Sequence, residues 1–572
     1  MIIQNLNSFS VKKVNFPQNE TMVSMPKLTL KADSVNFSGK VPFTTNVSPE
    51  LAKEVATKLS TSTSGMRSTY GDKYFNADTT ALLTQAISAR IVNDNEKAPK
   101  NLVLVGGDTR EATKNTKPQI KDQMANNGFN VLYVNKPGAT PAMALAAKEL
   151  GVDIGFLLTA SHNPWSDGGY NLLTNKGAVA DPSFTDKVVG YAVDIASKKP
   201  VKTSTGNIGQ IIEYDPYPLY RDYMENKEIN GKKILDFKAI KDAGIQIFYE
   251  DFGGTGGTYF PQLMKDNGIK LAKHLSTKTP GPEPNAKNLQ TLGKLVSKSS
   301  AKLKVGLAND GDSDRFGVVD EKGNYINAND VLLLVAYHLN KHKGYKEGAI
   351  LRSGATTSQL DVLAKKVGLD LIETPVGFKY IGEEMIKLEK EGHTPVIGGE
   401  ESGGLTIGGH IPEKDGFLAV SLIAELMAME KKPIGQILKE VKESLGQVIL
   451  SERDDYKGFA TNKEKDDFVN IFAKYYEEID AGTRKELFDL PVDVERSRGY
   501  YHGVRKFKKS GDGVKIYFQN GSSILVRKSG TEPIAKVYIE AYAPTQEQAK
   551  AWRNSIGEKI GELAKPYGAV KK

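Results

Sequence analysis

Short apolar runs alternate with amphipathic stretches along most of the chain. Apolar runs that predict buried strands cover residues 101–105, 130–134, 154–158, 245–249, 303–308, 349–351 and 396–397. Amphipathic stretches that predict helices cover residues 49–59, 357–367 and 418–429. Strands and helices alternate in this way when helices cover a largely parallel sheet, so the pattern predicts α/β architecture. Because the pattern restarts twice, we expect three α/β units in series with mixed sheets.

The C-terminal part has a different pattern. Apolar runs at residues 503–507, 514–518, 523–527 and 536–541 predict four strands, and residues 546–563 predict a closing helix. The dipeptide Asn520-Gly521, between two of these runs, is a strong signal for a β-hairpin. This part is therefore predicted to be a small α+β domain with an antiparallel sheet.

The predicted organisation is an N-terminal extension followed by four domains, in agreement with the number expected for 572 residues. The extension is rich in Asn, Ser, Val and Lys and has weak periodicity, which favours a flexible segment. The predicted parts are residues 1–45 (extension), 46–212 (domain 1, with a serine loop), 213–326 (domain 2, with an acidic loop), 327–445 (domain 3, with a glycine-rich loop) and 446–572 (domain 4, with a basic loop).

Composition excludes several classes of protein. The chain has no cysteine, which rules out disulfides, thiolate nucleophiles and cysteine-based zinc sites. No apolar run approaches the ~18 residues that a membrane-spanning helix needs. The N-terminus also lacks the basic start and apolar core of a secretory signal. We therefore expect a cytoplasmic protein that does not bind a membrane.

The net charge of +8 is spread along the chain. Nucleic-acid binding requires a concentrated basic stripe with interleaved aromatic residues, and the sequence has no such stripe. A small anionic substrate would need only a few of these cations. The charge distribution thus argues against a nucleic-acid partner and allows a small-molecule one.

Residues 159–164 (TASHNP) directly follow the predicted strand at 154–158. Turn-forming residues keep this segment irregular, so Ser161 is expected to present an exposed hydroxyl at a strand end, a suitable place for a nucleophile. Taken alone, the segment is better explained as an ordinary surface loop. The surroundings of Ser161 lack the G-x-S-x-G pattern of an α/β-hydrolase.

Three aspartates, Asp310, Asp312 and Asp314, alternate just after the predicted strand at 303–308. In an extended chain such residues project to one side, and three converging carboxylates suit a hard cation such as Mg²⁺ or Ca²⁺. A calcium-binding EF-hand is excluded because Arg315 stands where that loop requires glycine and strands flank the loop. An exposed acidic turn without a metal remains the alternative.

Three further loops carry polar groups after apolar runs. They are residues 374–379 (TPVGFK), 398–404 (GGEESGG) and 527–533 (RKSGTEP). Glycines allow a ligand to approach the backbone, a carboxylate and a hydroxyl two residues apart can bind neighbouring sugar hydroxyls, and arginine can bind phosphate through two donors. Each loop is weak evidence alone, and the sequence has neither a P-loop nor a complete G-x-G-x-x-G motif.

Taken together and in this order, the motifs resemble the α-D-phosphohexomutase superfamily, and most closely its phosphoglucomutase branch. The motifs that carry the resemblance are 63–67 (TSGMR), 159–164 (TASHNP), 310–314 (DGDSD), 399–402 (GEES) and 527–533 (RKSGTEP). The resemblance runs from about residue 51 to the C-terminus. It implies three α/β domains and a C-terminal α+β domain arranged around one central cleft, with each domain donating a loop.

The resemblance also implies roles for individual residues. The metal would be held by Asp310, Asp312, Asp314 and a phosphate oxygen on Ser161. Catalysis would involve Ser161, Lys414, His162, Arg67 and Arg315. Substrate would be bound by Thr374, Gly377, Lys379, Glu400, Ser402, Arg527, Ser529, Gly530 and Thr531.

The implied reaction interconverts glucose 1-phosphate and glucose 6-phosphate through a phosphoserine enzyme and glucose 1,6-bisphosphate. The implied cofactors are one Mg²⁺ per chain and the bisphosphate as activator, and the implied assembly is a monomer or homodimer. A mannose- or glucosamine-phosphate mutase with the same chemistry is the first alternative. A sugar-phosphate-binding protein without turnover and a serine phosphatase or hydrolase are the others.

One departure from the family concerns the proton. Many relatives have a lysine, thought to move protons, at the position of Asn171, and an amide cannot take up a proton near neutral pH. The remaining candidates are His162, His410 and Lys414, of which Lys414 matches the proton acceptor of glucose-type relatives. We expect surrounding cations to lower the pKa of Lys414, which would make it the general base with His162 as an auxiliary.

Overall fold

The computed structural model describes residues 43–62, 65–94, 99–497, 513–529 and 534–571. The helices up to the third domain are α1 (Pro49–Thr61), α2 (Ala77–Asp94), α3 (Glu111–Asn126), α4 (Thr140–Leu150), α5 (Pro182–Ala196), α6 (Tyr217–Asn226), α7 (Phe237–Asp242), α8 (Gly256–Asp266) and α9 (Gln290–Lys298). Those that follow are α10 (Ala328–His342), α11 (Gln359–Val367), α12 (Phe378–Lys390), α13 (Gly416–Glu430), α14 (Ile434–Ser444), α15 (Asn462–Asp480) and α16 (Gln546–Ala564).

The strands fall into four larger sheets and two short hairpins among the described residues. The first twelve are β1 (Met66–Thr69), β2 (Leu102–Gly107), β3 (Asn130–Tyr133), β4 (Ile154–Leu158), β5 (Asp167–Leu173), β6 (Ile211–Glu213), β7 (Glu228–Ile229), β8 (Lys232–Lys233), β9 (Gln246–Glu250), β10 (Lys273–Leu275), β11 (Lys304–Asn309) and β12 (Phe316–Val319). The others are β13 (Tyr325–Ile326), β14 (Ala349–Ser353), β15 (Asp370–Thr374), β16 (Pro395–Glu400), β17 (Gly404–Ile407), β18 (Val448–Lys457), β19 (Glu486–Leu487), β20 (Leu490–Pro491), β21 (Val514–Tyr517), β22 (Ser523–Lys528), β23 (Ala535–Ala543) and β24 (Val570–Lys571).

The first three larger sheets are mixed and the fourth is antiparallel. Their strand orders are β1-β5-β4-β2-β3-β6, β10-β9-β11-β12-β13, β15-β14-β16-β17 and β21-β22-β23-β18-β24. Helices pack against all four sheets. The predicted fold class, three α/β domains followed by a C-terminal α+β domain, is confirmed.

The first three sheets repeat one local arrangement that places the functional loops. In each, a strand with a parallel neighbour on one side (β4, β11 or β16) runs through a short loop into an antiparallel partner (β5, β12 or β17). The serine loop and the acidic loop lie in the first two connections. The third connection is residues 401–403 of the glycine-rich loop, whose residues 398–400 end β16 and whose Gly404 begins β17. Ligands of open α/β sheets bind beyond the carboxyl ends of the strands, where all three loops lie.

A continuous hydrophobic cluster joins the first three sheets. It includes Leu104 in β2, Leu307 in β11 and Ile350 in β14. At its centre α13 is buried almost all round, because its sequence is apolar on every face, and it packs against α7, α10, β12 and β17. The C-terminal domain has its own cluster, from Tyr456 to Ala569. Since one core supports three of the loops, their relative positions are fixed by packing.

Local sequence patterns located the elements well, with small differences at the ends. The helix predicted over 357–367 begins at Gln359, and the one predicted over 418–429 extends over Gly416–Glu430. The strand predicted at 503–507 and the extension up to residue 42 lie outside the described residues. Across the part of the chain that the structure describes, no helix combines the length and apolar character needed to cross a membrane.

Candidate active site

Ser161 lies at the first turn after β4, with its backbone in the left-handed region at φ +50°. Its amide donates to Thr159 Oγ1 at 2.8 Å, and its hydroxyl donates to Asp310 Oδ2 at 2.7 Å. The side chain is fully buried, so the predicted exposure of Ser161 is wrong. The reason is the acidic loop, whose Gly311 packs against the serine carbonyl and covers the strand end.

His162 stands beside this hydroxyl. Its Nδ1 atom lies 3.3 Å from Ser161 Oγ. Burial, together with the charges of Arg315 and Arg67, lowers the pKa of His162 well below its usual value. The imidazole is therefore neutral at physiological pH and can accept a proton.

The three aspartates converge, as predicted, but by a different route. Ligand oxygens of Asp310, Asp312 and Asp314 lie within 4.8 Å of one another, and all three side chains are buried. Strand β11 ends at Asn309, and the aspartates lie in the turn that follows, where Ser313 has φ +64°. The predicted extended conformation of this segment is therefore wrong, and the turn brings the carboxylates together.

Within the described part of the chain, two oxygens of these carboxylates have no hydrogen-bond partner. Asp310 accepts from Ser161 and from the amide of Arg315, and Asp312 Oδ2 accepts from Thr140 Oγ1 at 2.8 Å. Asp314 Oδ2 contacts the ammonium of Lys414. In contrast, Asp312 Oδ1 and Asp314 Oδ1 are buried and accept no hydrogen bond from any residue that the structure describes.

Unpartnered buried carboxylate oxygens are costly unless a cation neutralises them. Burial and the charges of Asp314 and Asp310 raise the pKa of Asp312 well above its usual value, which shows the repulsion in the cluster. An all-oxygen set that leaves coordination positions open suits Mg²⁺. The residues present therefore fit a magnesium ion.

Arginines from two domains face the cluster. Arg67 in β1 donates to Asn163 Oδ1 at 3.3 Å, and Arg315 pairs through its backbone with Gly404 of the glycine-rich loop. Burial and the neighbouring charge of Arg315 lower the pKa of Arg67. The Nε atoms of both arginines are buried without a partner among the described residues. Two adjacent guanidinium groups with unused donors suit an anion such as a phosphoryl group.

Lys414 lies between the acidic cluster and the glycine-rich loop. Burial alone would lower its pKa, but the carboxylates of Asp314 and Glu413 outweigh burial and raise the pKa of Lys414 to about 12. The predicted lowering of this pKa is therefore wrong. The sequence showed the cations near Lys414 but not its contact with Asp314, which comes from another domain.

Glu400 joins the glycine-rich loop to the loop at 374–379. Its Oε1 accepts from the amide of Gly377 at 2.9 Å, and its Oε2 lies 3.5 Å from the hydroxyl of Ser402, which is exposed. Thr374 is buried with its hydroxyl bonded to a backbone carbonyl, and the ammonium of Lys379 lies over the Tyr380 ring. The structure thus brings the two predicted sugar-binding loops together at Glu400.

The fourth loop follows β22. The Nε atom of Arg527 is buried and has no partner among the described residues. The amide of Ser529 donates to Ile534 O at 2.9 Å, which brings the two ends of the loop together. Gly530 and Thr531 lie outside the described residues.

One of the three proton-transfer candidates is used elsewhere. His410 is buried and pairs with Asp415, which caps α13, so it holds a helix end and does not reach Ser161. Asn171 is buried in β5, where its Nδ2 lies 3.4 Å from Thr159 O. Lys414 and His162 therefore remain the groups near the serine and the acidic cluster.

Sequence reasoning missed several residues that organise the site. Thr140, at the start of α4, donates to Asp312 through both its hydroxyl and its amide. Arg110 and Asp108 lie behind the serine loop and bind it. The sequence signal that could have identified Asp108 and Arg110 was the GGDTR segment directly after a predicted strand. It places an aspartate and an arginine at the same sheet edge as the serine loop.

Comparisons with known proteins identify four domain families along the chain. Four phosphoglucomutase/phosphomannomutase domain families match in order: alpha/beta/alpha domain I over residues 58–198, domain II over 220–323, domain III over 327–444 and the C-terminal domain over 490–559. A phosphoglucomutase/phosphomannomutase from Thermococcus kodakarensis is 27% identical over 482 residues, which cover 82% of this chain and 91% of that protein.

Two further proteins are similar to this chain. A probable phosphoglucosamine mutase from Pyrococcus furiosus is 29% identical over 456 residues, covering 78% of this chain and 87% of that protein. The open form of the Paramecium phosphoglucomutase parafusin superposes with a TM-score of 0.70 at 22% identity, covering 88% of this chain and 95% of that one. The latter similarity shows a shared fold.

Proposed function

This chain belongs to the phosphoglucomutase/phosphomannomutase family, and we propose that it interconverts glucose 1-phosphate and glucose 6-phosphate. One observation carries the proposal. The hydroxyl of Ser161 is bonded to a three-carboxylate cluster, and two arginines with unused donors face that cluster. A nucleophile, a cation site and anion-binding groups at one point are what phosphoryl transfer requires.

In the proposed reaction Ser161 carries a phosphoryl group. A hydroxyl of the sugar phosphate attacks this phosphorus and loses its proton, while the bond between phosphorus and the serine oxygen breaks. The product is glucose 1,6-bisphosphate, which reorients in the active site and returns its other phosphoryl group to Ser161. Arg67 and Arg315 neutralise charge on the transferring group, and Mg²⁺ bound by the aspartates would supply further neutralisation.

The substrate is held by the other loops. In the proposal Glu400 and Ser402 bind sugar hydroxyls, and Thr374, Gly377 and Lys379, whose loop contacts Glu400 through the Gly377 amide, bind the same sugar phosphate. Arg527 and Ser529, with Gly530 and Thr531, bind the distal phosphate, since arginine and turn amides are good phosphate donors. The sequence of the glycine-rich loop favours glucose because it has Gly404 where mannose and glucosamine types typically have histidine.

Incubation with glucose 1-phosphate, Mg²⁺ and a trace of glucose 1,6-bisphosphate tests the proposed function. We expect glucose 6-phosphate, and a higher kcat/KM for glucose 1-phosphate than for mannose 1-phosphate or glucosamine 1-phosphate. A reversed preference would assign the chain to the mannose or glucosamine activity with the same chemistry. Free phosphate as the product would indicate a phosphatase, and the absence of any product would indicate a binding protein.

We predicted Lys414 as the base and His162 as its auxiliary, but with a pKa of about 12 the Lys414 ammonium can donate a proton and cannot accept one near neutral pH. Proton transfer is therefore proposed to use the neutral imidazole of His162, beside Ser161, as base and Lys414 as acid. A positioned general base contributes about 10²–10⁴-fold to rate, so His162→Ala should lower kcat by about that factor. If His162→Ala keeps near-normal kcat while Lys414→Met loses it, the lysine is the base.

Glu400 gives the proposed reaction a pH dependence. Burial and the charge of Glu401 raise the pKa of Glu400 to about 7. Because only the carboxylate accepts hydrogen bonds from sugar hydroxyls at both oxygens, kcat/KM at saturating Mg²⁺ should rise as pH increases through about 7. The effect on stability has the opposite sign. A carboxyl whose folded pKa is raised favours the folded state when protonated, and this contribution is lost between about pH 4 and about pH 7.

The measurement is the pH profile of kcat/KM for the wild type and for Glu400→Gln. The substrate phosphate titrates near pH ~6 in both proteins, so the difference between the profiles isolates Glu400. The variant should have lower kcat/KM and lack the rise near pH 7. Parallel profiles would show that Glu400 does not titrate in this range.

We further propose a cytoplasmic enzyme whose partner is a small sugar phosphate, with neither nucleic acid nor membrane as a partner. It would bind one Mg²⁺ per chain and use glucose 1,6-bisphosphate as activator and intermediate. The assembly would be a monomer or homodimer, which light scattering on the purified chain distinguishes from larger forms.

A further inference from the structure

Arg110 lies behind the serine loop, at the N-terminal end of α3, and is almost fully buried. Its guanidinium donates to three backbone carbonyls of that loop and to the carbonyl of Asp167, the first residue of β5. The acceptors are Ser161 O (2.6 Å), Asn163 O (2.7 Å), Asp167 O (3.2 Å) and Pro164 O. The same group lies 4.9 Å from the centre of the Trp165 ring.

Asp108 completes this arrangement. Its Oδ2 accepts from Arg110 Nε at 3.0 Å and from Thr159 Oγ1 at 2.8 Å. The Thr159 hydroxyl in turn accepts from the amide of Ser161 at 2.8 Å. Both the amide and the carbonyl of Ser161 are thus held by one network that starts at Asp108 and Arg110.

The conformation held by this network is unfavourable in isolation. Serine at φ +50° is in the left-handed region, which L-residues with a Cβ atom rarely occupy. Such a conformation persists only where its surroundings determine it more strongly than local preference does. The hydrogen bonds of the network stabilise this backbone conformation, in which the Ser161 hydroxyl donates to Asp310.

We propose that Arg110 is a positioning residue for the nucleophile, which sets the backbone of Ser161 so that its oxygen lies in line for phosphoryl transfer. The inference rests on the proposed mutase function. Arg110 donates to the serine's backbone carbonyl, and its hydrogen bonds reach neither the Ser161 hydroxyl nor the acidic cluster, so it acts through the loop. A planar fork of five N–H donors can reach several carbonyls at once, whereas an ammonium is a single point charge with three donors.

Arg110→Lys tests the proposal because it keeps the charge and removes the fork. A misplacement of about 1 Å at a reacting atom can cost on the order of 10²-fold in rate. We expect kcat to fall by about that factor with KM within about threefold, since the sugar-binding loops are untouched. Single-turnover transfer from phosphorylated Ser161 to glucose 1-phosphate should slow by the same factor.

Arg553→Lys is the matched control. Arg553 is also buried and ion-paired, with Asp454, but it lies in the C-terminal domain behind its sheet. It should keep wild-type kcat after correction for the folded fraction. If Arg110→Lys lost activity only in proportion to its folded fraction, or raised KM with kcat unchanged, the inference would be overturned.

Thr159→Val provides a second variant in case Arg110→Lys does not fold. It removes the hydroxyl between Asp108 and the Ser161 amide while keeping the side-chain shape. A fall in kcat with unchanged KM supports the inference, and wild-type kcat refutes it. An active wild type with unaffected variants would contradict this inference alone, whereas a wild type without mutase activity would remove the proposed function and the inference together.

Discussion

Replacing Ser161 with alanine is expected to abolish mutase turnover, with a loss of at least about 10⁴-fold, because removal of a covalent nucleophile is among the costliest changes in an enzyme. The hydroxyl is the group that would carry the phosphoryl between the two half-reactions, and it already points at the acidic cluster. Intact-mass measurement and peptide mapping of the purified wild type should find phosphate on Ser161, and the variant should carry none.

The fold should survive this change. Alanine keeps the same backbone conformation, and the variant loses one buried hydrogen bond to Asp310, which costs about 1–3 kcal/mol. Ser166→Ala is the control, since Ser166 is an exposed hydroxyl in the same loop and should retain full activity. Phosphate found only on other serines, or turnover by Ser161→Ala, would show that the reaction does not pass through this residue.

Replacing Asp312 with asparagine is expected to weaken Mg²⁺ binding by at least about tenfold. Removing a direct metal ligand should weaken binding at least as much as removing a group that only hydrogen-bonds to a ligand. The Mg²⁺ requirement of the activity should rise by the same factor, and chelator should abolish wild-type activity. The second readout is thermal stability. Mg²⁺ that binds only the folded state raises Tm, and the rise should be smaller in the variant.

The pH dependence of stability should also differ between the wild type and the variant when no metal is bound. The raised pKa of Asp312 means that the metal-free wild type loses stability as pH increases toward that pKa, because the folded state favours the protonated form. Asparagine removes this charge, so the stability of the metal-free variant should fall less than that of the metal-free wild type as pH increases.

Asp320→Asn is the matched control for the metal prediction. Asp320 is a buried aspartate directly after β12, and its Oδ1 accepts from the amides of Lys322 and Asn324, outside the acidic cluster. It should keep wild-type Mg²⁺ affinity. Full wild-type activity in chelator, or an unchanged Mg²⁺ response in Asp312→Asn, would remove the metal from the mechanism.

The sequence by itself determined the fold class, most of the elements and the positions of the candidate functional loops. The strand predicted at 154–158 is β4, and the hairpin predicted at Asn520-Gly521 joins β21 to β22. The acidic cluster and Glu400 were both found from their positions after apolar runs. These features were predictable because hydrophobic periodicity and turn chemistry are encoded within a few consecutive residues.

Only the tertiary structure decided how those loops meet. Ser161 is buried because Asp310 and Gly311, about 150 positions away in sequence, cover it. The pKa of Lys414 is raised because Asp314, 100 positions away, contacts its ammonium. The exposure and the pKa of a side chain depend on all of its neighbours in space. The local sequence pattern does not show how close segments from different domains lie in the folded protein. The chemistry of the groups was therefore readable from the sequence, whereas their protonation and exposure followed from packing.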